Sequence, residues 1–219
     1  MHNPVSIDIW SDIACPWCYL GERSLAAALD SFAHKDEVSV RFRSYQLAPD
    51  APAEISQTQK DYLIQVKGLS EQQVQASFDT ITARGAELGL HYDFATVRGA
   101  NTRAAHRLIQ FALHAGKQQE LVDALFRAHF EQGLLVSDPE VLVSLAVSVG
   151  LDPEQARAAL SSQEYDREVS DDIEMARGLG IQGVPFFVLN GRFGVSGAQP
   201  VEAFTQVLDQ VWNSPAGQQ

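Results

Sequence analysis

The chain contains only two cysteines, Cys15 and Cys18, and two residues separate them in the run SDIACPWCYLG. A cysteine attacks as its thiolate, and a free thiol with a pKa of about 8.5 is only about 3% ionised at pH 7. The positive N-terminus of an α-helix stabilises a thiolate and raises that fraction. Pro16 suits the first turn of a helix, so the sequence predicts that the pair stands where a helix begins.

The spacing of the two cysteines predicts a division of roles. Side chains three residues apart on a helix share a face, so Cys18 can close a disulfide with Cys15. We expect Cys15 to be the exposed thiol that attacks and Cys18 to be the inner thiol that resolves the mixed disulfide. The free backbone N–H groups of Trp17 and Cys18 are expected to point at the Cys15 sulfur.

Two other interpretations of the cysteine pair stay open at this point. A structural zinc site needs two further ligands, and the chain has no third cysteine. Its histidines do not form the close pairs typical of zinc ligands; they are His2, His34, His91, His106, His114 and His129. The cysteines could also be inert apolar residues, although a strand-to-helix junction is a poor place for core packing. We predict no metal.

Hydrophobic periodicity predicts the elements that position the cysteines. The run 5–9 alternates apolar and polar residues before the cysteines, and the run 38–43 does so after them, so the first fifty residues are predicted as β-α-β with parallel strands. Residues 49–180 have almost entirely helical patterns. The run 184–197 then contains two short strands around Asn190-Gly191, a typical hairpin turn, and a last helix follows from Pro200.

These elements predict an α/β fold. A β-α-β half and a β-β-α half form one small sheet with helices on its faces, and a large all-helical insertion lies between them. The predicted domains are therefore a discontinuous α/β domain, residues 1–48 and 181–219, and a helical insertion domain, residues 49–180.

Composition excludes several classes of function. The formal net charge is −12, so the surface repels nucleic-acid phosphates and anionic lipids, and we expect neither nucleic acid nor a membrane as a partner. The first ten residues, MHNPVSIDIW, have no basic segment followed by an apolar one, so no signal peptide is predicted. We therefore expect a cytoplasmic protein, and cytosolic disulfides are usually transient and catalytic or redox-sensing.

Three segments together resemble a known family. Cys15-Pro16-Trp17-Cys18 after a strand and Gly183-Val184-Pro185 before a hairpin and helix resemble the thioredoxin superfamily. The helical insertion resembles its DsbA-like branch. Within that branch, SDIACPWCYLG, NTRAAHRL and GVPFFVLNGRFGVSGAQP are similar to FrnE-type thiol-disulfide oxidoreductases. These are related to 2-hydroxychromene-2-carboxylate isomerases and kappa-class glutathione transferases. The resemblance covers nearly the whole chain.

The resemblance implies roles for the matching positions. Cys15 would attack, Cys18 would resolve, and Pro185 would follow a cis peptide bond and pack against the cysteines. The backbone of Val184 would hydrogen-bond an extended substrate, such as a peptide. The isomerase and transferase relatives carry serine where Cys15 stands and use glutathione. Two cysteines indicate dithiol chemistry instead, with no bound cofactor and with glutathione, at most, as a co-substrate.

Four other residues have both a structural and a functional interpretation. Trp17 either belongs to an apolar docking surface or packs on its neighbours. Asp12 either exchanges protons with the thiols or caps a loop. His106, with Asn101 before it, either faces the cleft or sits satisfied on a helix face. No function is assigned to His129.

The sequence therefore supports three classes of function. The leading hypothesis is a cytoplasmic thiol-disulfide oxidoreductase whose substrate is a peptide, a protein or a low-molecular-weight thiol or disulfide. The second is a glutathione-dependent isomerase or transferase for aromatic small molecules. The third is a redox sensor or holdase without turnover, in which the helical insertion binds partners.

Overall fold

The computed structural model describes residues 4–52, 57–99 and 101–214. The ends of the predicted α/β domain, residues 1–3 and 215–219, therefore lie outside the described residues, as do 53–56 and 100 of the insertion. The first half contains β1 (Val5–Ser11), α1 (Pro16–Ser31) and β2 (Val38–Ser44). The last half contains β3 (Phe186–Leu189), β4 (Phe193–Ser196) and α9 (Val201–Asn213).

Helices fill the described part of the insertion. They are α2 (Gln59–Gln65), α3 (Glu71–Glu87), α4 (Arg103–His114), α5 (Gln118–Phe130), α6 (Pro139–Ser148), α7 (Pro153–Ala159) and α8 (Gln163–Gly178). The mixed α/β class and the helical insertion predicted from the sequence are confirmed.

The four strands form one sheet in the order β2-β1-β3-β4. β1 and β2 are parallel, with Val5 opposite Val38 and Ser11 opposite Ser44, as the β-α-β prediction requires. β3 runs antiparallel to β1 and to β4. The carboxyl end of β1 therefore lies beside the amino end of β3, and this places the loop after β1 next to the segment 183–185.

Local sequence signals account for most helix starts. Ser70 and Gln73 form the predicted capping box of α3. Asp138 and Asp152 cap α6 and α7, each with proline as the first helical residue. α8 begins at Gln163, where the Ser162 hydroxyl caps the helix by accepting the Tyr165 N–H.

One feature of the insertion differs from the all-helical prediction. An isolated antiparallel bridge joins Thr58 to Arg98, and the Gln59 N–H donates to the Val97 carbonyl at 3.0 Å. This bridge ties the start of α2 to the segment before α4. Apolar burial is continuous between the sheet and the insertion, so the two-domain division stays a prediction from the sequence.

A buried carboxylate attaches the insertion to the sheet. Asp172 on α8 accepts the Ser44 backbone N–H at 3.0 Å, the Gln110 side-chain amide at 2.6 Å and the Arg43 guanidinium at 3.0 Å. Its own carbonyl accepts the indole N–H of Trp10 at 2.9 Å. Each polar atom of this residue thus has a partner, as a buried charge requires.

No helix in the described ranges has the length and apolar character needed to cross a membrane.

Candidate active site

Cys15 is the N-cap residue of α1, and Pro16 is its first helical residue. The Cys15 backbone is extended, with φ −97° and ψ 110°, and its N–H donates to the Asp12 carbonyl at 3.0 Å. The first turn of α1 has no acidic residue. The sulfur therefore stands at the positive end of the helix dipole with no competing carboxylate in that turn.

The Cys15 sulfur faces a carbonyl, and this differs from the expectation of N–H donors. Its Sγ lies 3.6 Å from the Val184 carbonyl oxygen, a distance at which the thiol donates. No helix N–H donates to the side chain of this N-cap residue. The Cys18 N–H, which was expected to point at the sulfur, donates to the Cys15 carbonyl at 3.0 Å because that bond begins the helix.

Both cysteines are buried, so the expectation of an exposed Cys15 is wrong. The exposed fraction is 4% for Cys15 and 1% for Cys18, and the two thiols are not linked. Val184 and the walls of a neighbouring cavity cover Cys15. Burial raises the pKa of the Cys18 thiol well above its ordinary value, and the nearby Cys15 raises it further. Cys18 is therefore held as a neutral thiol.

The Val184–Pro185 peptide bond is cis. Pro185 packs closely on α1: a Cβ atom added to Gly21 would lie 3.0 Å from the Pro185 ring and 3.2 Å from the Phe187 ring. A glycine at this position lets the helix that carries the cysteines approach the segment 184–185. Gly21 belongs to the site architecture, and the sequence analysis did not single it out.

Asp12 lies almost completely buried behind the cysteine loop, with 1% exposure. Its carboxylate accepts the Leu47 N–H at 2.7 Å and the Ala14 N–H at 3.3 Å. Burial on its own raises the pKa of this carboxyl, but the His106 side chain and the donor groups around it prevail and hold the pKa below its ordinary value. The Asp12 carboxylate therefore organises the loop, as the structural interpretation expects.

His106 and Asn101 do not border the cavity beside Cys15. The His106 Nε2 lies 3.5 Å from the Asp12 carboxylate, and the imidazole is 2% exposed. The Asn101 amide donates to the Ala51 carbonyl at 2.6 Å and so holds the loop 47–51. Neither residue lines the cavity. His106 is linked to its wall through Asp12, and Asn101 is linked to it through Ala51.

Trp17 has properties of both interpretations. Its indole is half-buried against the core. The Arg84 guanidinium lies over it, with the guanidinium carbon 5.6 Å from a ring centroid of Trp17. It also borders the cavity beside Cys15. Arg84 in turn donates to the Ala198 carbonyl at 2.7 Å, so Trp17 is fixed between α3 and the end of the sheet.

The cavity beside Cys15 has a volume of about 300 Å³. Its walls come from the cysteine loop, residues 47–51, α2, α3 and the bridge segment at 98–99. His129 on α5 also contributes to the wall, although the sequence analysis assigned it no function. Burial lowers the pKa of the His129 imidazole to about 4, so the side chain is neutral at neutral pH. No local pattern marks it, because only the packing of α5 brings it near Cys15.

In the part of the chain that the structure describes, no group of three His, Cys, Asp or Glu side chains could hold a metal ion. The arrangement around Cys15 can instead support attack by sulfur. One thiol stands at a helix N-terminus and borders a cavity, and a second thiol lies one turn deeper.

Comparison with known proteins assigns this architecture. Residues 6–209 match the family model of the DSBA-like thioredoxin domain. The crystal structure of a probable DsbA oxidoreductase from Streptomyces coelicolor is 41% identical, with a TM-score of 0.92 over 98% of this chain and 93% of that one. The fold and the cysteine pair therefore define a DsbA-like oxidoreductase. The chain belongs to the DSBA-like thioredoxin domain family.

More distant structures share the fold. A 2-hydroxychromene-2-carboxylate isomerase is 14% identical, with a TM-score of 0.70 over 94% of this chain and 95% of that one. The cytosolic disulfide reductase DsbM from Pseudomonas aeruginosa, solved with GSH, is 18% identical, with a TM-score of 0.66 over 94% and 98%. At these identities the matches show a shared fold, and the isomerase belongs to one of the groups of relatives that the sequence resemblance named.

Proposed function

We propose that this protein is a cytoplasmic, FrnE-type thiol-disulfide oxidoreductase in which Cys15 attacks and Cys18 resolves. The observation that carries the proposal is the contrast between the two thiols. Cys15 caps α1 and borders a cavity, whereas Cys18 lies one turn deeper with a raised pKa. A thiol that stays protonated does not compete for the substrate.

In the first step the Cys15 thiolate attacks one sulfur of a substrate disulfide. A bond forms between that sulfur and Cys15, and the other substrate sulfur leaves as a thiolate. The Cys18 thiol then loses its proton to water and attacks the Cys15 sulfur of the mixed disulfide. The remaining substrate thiolate leaves, and Cys15 and Cys18 end as a disulfide, oxidised by two electrons. When electrons pass from the substrate dithiol to the Cys15–Cys18 disulfide, the same steps occur in reverse.

Val184 supports binding as well as chemistry. Its carbonyl lies 3.6 Å from the Cys15 sulfur, so a main-chain group is available beside the reacting atom. The thiol's bond to this carbonyl is lost when Cys15 ionises, and the carbonyl then becomes free to accept an N–H from an extended substrate. We propose that Val184 and Pro185 form the substrate-binding edge of the site.

The experiment compares single cysteine variants. With Cys15→Ser, we expect loss of disulfide reduction on insulin and loss of rapid alkylation. With Cys18→Ser, we expect a mixed disulfide between Cys15 and the substrate to accumulate, which mass spectrometry detects. Equal insulin reduction by the wild type and Cys15→Ser would refute the assignment. The cytoplasmic location is tested separately, by fractionating cells that express the native gene.

The cavity beside Cys15 supports a second candidate, a glutathione-dependent isomerase or transferase for aromatic small molecules. A chamber of about 300 Å³ at the sulfur suits a small organic substrate. This candidate requires saturable glutathione binding without net oxidation, with glutathione as co-substrate. It also requires that Cys18→Ala retains turnover. Loss of turnover in that variant favours the oxidoreductase.

A further inference from the structure

The surroundings of Cys15 restrict what can reach its sulfur. The side chain is 4% exposed, and the cavity that it borders has a volume of about 300 Å³. This volume lies at the small end of the range for small-molecule pockets, about 300–1,000 Å³. A free small disulfide can enter a chamber of this size.

Most of the side chains that line the cavity are apolar. Phe78 and Ile81 on α3 and Tyr62 on α2 contribute to the walls, together with the half-buried Trp17. His129 is neutral at this depth, because burial lowers its pKa to about 4. Flat apolar groups gain most from such walls, because aromatic rings add edge and stacking contacts to burial.

The charged side chains that line this cavity within the described ranges are both cations, Lys67 and Arg98. Both are exposed, and neither has an ion-pair partner among the described residues. The Lys67 ammonium lies 5.8 Å from the Tyr62 ring centroid, and the bridge to Thr58 fixes the backbone of Arg98. In a chain with a net charge of −12, two exposed cations on the lining of one cavity favour an anionic ligand.

We infer that the cavity beside Cys15 binds low-molecular-weight disulfides that combine an aromatic or other apolar body with an anionic group. The apolar body lies against the walls from α2 and α3, and the anionic group meets the side chains of Lys67 and Arg98. This inference rests on the proposed function, since Cys15 is the thiol that attacks the bound disulfide.

The reaction balances with the two thiols alone. The Cys15 thiolate displaces the first thiolate of the small disulfide, and Cys18 then displaces the second. One disulfide bond breaks in the ligand and one forms in the protein, so the ligand gains two electrons and the protein loses them. Repeated turnover needs a separate thiol that reduces the Cys15–Cys18 disulfide again. A single turnover with excess reduced protein needs no such reductant.

The test measures single-turnover release of thiolate from three probes. Dithiobis(nitrobenzoate) is aromatic and anionic, dipyridyl disulfide is aromatic and neutral, and hydroxyethyl disulfide is neither. Each rate is divided by the rate of the same probe with free cysteine, so that intrinsic reactivity cancels. We expect the order anionic aromatic, neutral aromatic, then hydroxyethyl. A flat profile across the three probes would overturn the inference.

Charge removal gives a matched comparison. The double variant Lys67→Gln/Arg98→Gln is expected to slow dithiobis(nitrobenzoate) by about tenfold at low salt and to leave dipyridyl disulfide unchanged. The control Lys35→Gln/Arg192→Gln removes the same charge from residues that do not line the cavity. Equal effects of the two double variants on the anionic probe would contradict a local cation site.

Filling the cavity separates this inference from the proposed function. Ser77 lines the cavity from α3, so Ser77→Phe is expected to slow both aromatic probes by about tenfold or more. Ala83→Phe places the same ring on an exposed position of α3 and should change neither rate. Thermal unfolding verifies that both variants fold.

Insulin reduction is the readout that separates the two claims. If Ser77→Phe leaves the aromatic probes unaffected while Cys15→Ser abolishes insulin reduction, the ligand class is wrong and the oxidoreductase stands. If Cys15→Ser changes neither the probes nor insulin, the proposed function itself fails.

Discussion

Two buried aspartates, Asp172 and Asp12, are contacted by residues on the same face of α4, and their surroundings differ. Gln110 reaches Asp172 at 2.6 Å, and one turn earlier His106 lies 3.5 Å from Asp12. The partner of Asp172 on α4 is a neutral amide, and the Ser44 N–H and the Arg43 guanidinium donate to the same carboxylate. The partner of Asp12 is a titratable ring at a longer distance, next to the cysteine loop.

The difference follows from what each carboxylate holds. Asp172 joins α8 to the backbone of β2 and does not line the cavity beside Cys15. Asp12 holds Ala14 and Leu47, and both of these residues line the cavity beside Cys15. We conclude that the Asp172 centre serves stability and the Asp12 centre positions the reactive site.

The largest effect on stability is expected for Asp172→Ala. It leaves the buried Ser44 N–H without an acceptor, and the Gln110 amide keeps only its bond to the Ser44 hydroxyl, so the free energy of unfolding should fall by about 3–5 kcal/mol. Urea denaturation measures the change. The neighbouring Asp171 is exposed on the same helix, and Asp171→Ala serves as the control. An altered alkylation rate of Cys15 in a folded Asp172→Ala sample would contradict the assignment of Asp172 to stability alone.

A third carboxyl, that of the half-buried Glu22 on α1, extends the comparison to an acid that lacks a full set of partners. Its Oε2 has no hydrogen-bond partner among the described residues. Burial raises the pKa of this carboxyl to about 7, and the negative charge of Asp123 adds to the rise, although Arg23 opposes it. The folded state therefore binds the proton more tightly than the unfolded state does.

The contribution of Glu22 to stability should consequently be fully present below pH 4.5 and be lost as the pH rises through 7. The fall from this residue is about 2–3 kcal/mol, and Glu22→Gln should remove it. Urea denaturation at pH 4.5 and pH 8 measures the change, with the exposed Glu202→Gln as control. If the free energy of unfolding depended on pH in the same way in the wild type and in Glu22→Gln, ionisation of Glu22 would not destabilise the fold.

Asp12→Asn should have a smaller effect, with the opposite dependence on pH. The pKa of Asp12 is depressed in the folded state, so its contribution is present above the ordinary value and is lost as the pH falls through the folded value. The variant should lose about 1–2 kcal/mol at pH 7 and nothing once Asp12 is protonated.

The same variant should raise the alkylation rate of Cys15, because the Leu47 wall of the cavity loosens. Iodoacetamide kinetics at fixed pH measure this rate. An unchanged rate would place Asp12 with Asp172 as a purely structural residue.

The smallest effect is expected for His106→Gln, which makes the Asp12 centre resemble the Asp172 centre. Stability should change by less than about 1 kcal/mol, since the amide still offers a donor. The pKa of Asp12 should rise, because burial then acts without the imidazole that opposes it. Carboxyl chemical shifts in an NMR titration report this pKa. A pKa that stays depressed would assign the effect to the Leu47 and Thr102 donors instead.

Local signals in the sequence were sufficient for the framework. Pro16 after a strand predicts the helix start at the cysteines, and the hairpin at Asn190-Gly191 has positive φ at both residues, 50° and 65°. The capping residues of α3, α6 and α7 are local signals of the same kind. Each of these signals acts over a few residues, so a single sequence displays it directly.

The interpretation of buried polar residues was less complete. Asp12 and His106 were recognised as candidates, but Asp172 and Glu22 were not, because a carboxylate on a helix usually faces solvent. Asp172 finds partners on β2 and α4 only when α8 packs there. Its burial is a property of three elements together.

The sequence by itself determined that two thiols stand one turn apart at the start of a helix, because proline and the strand pattern set that geometry locally. Tertiary structure decided that the first thiol is buried, that it faces the carbonyl of a residue 169 positions away, and that His129 shares its cavity. The reason is physical. Helix starts depend on neighbouring residues, whereas burial and cavities depend on which distant surfaces pack together.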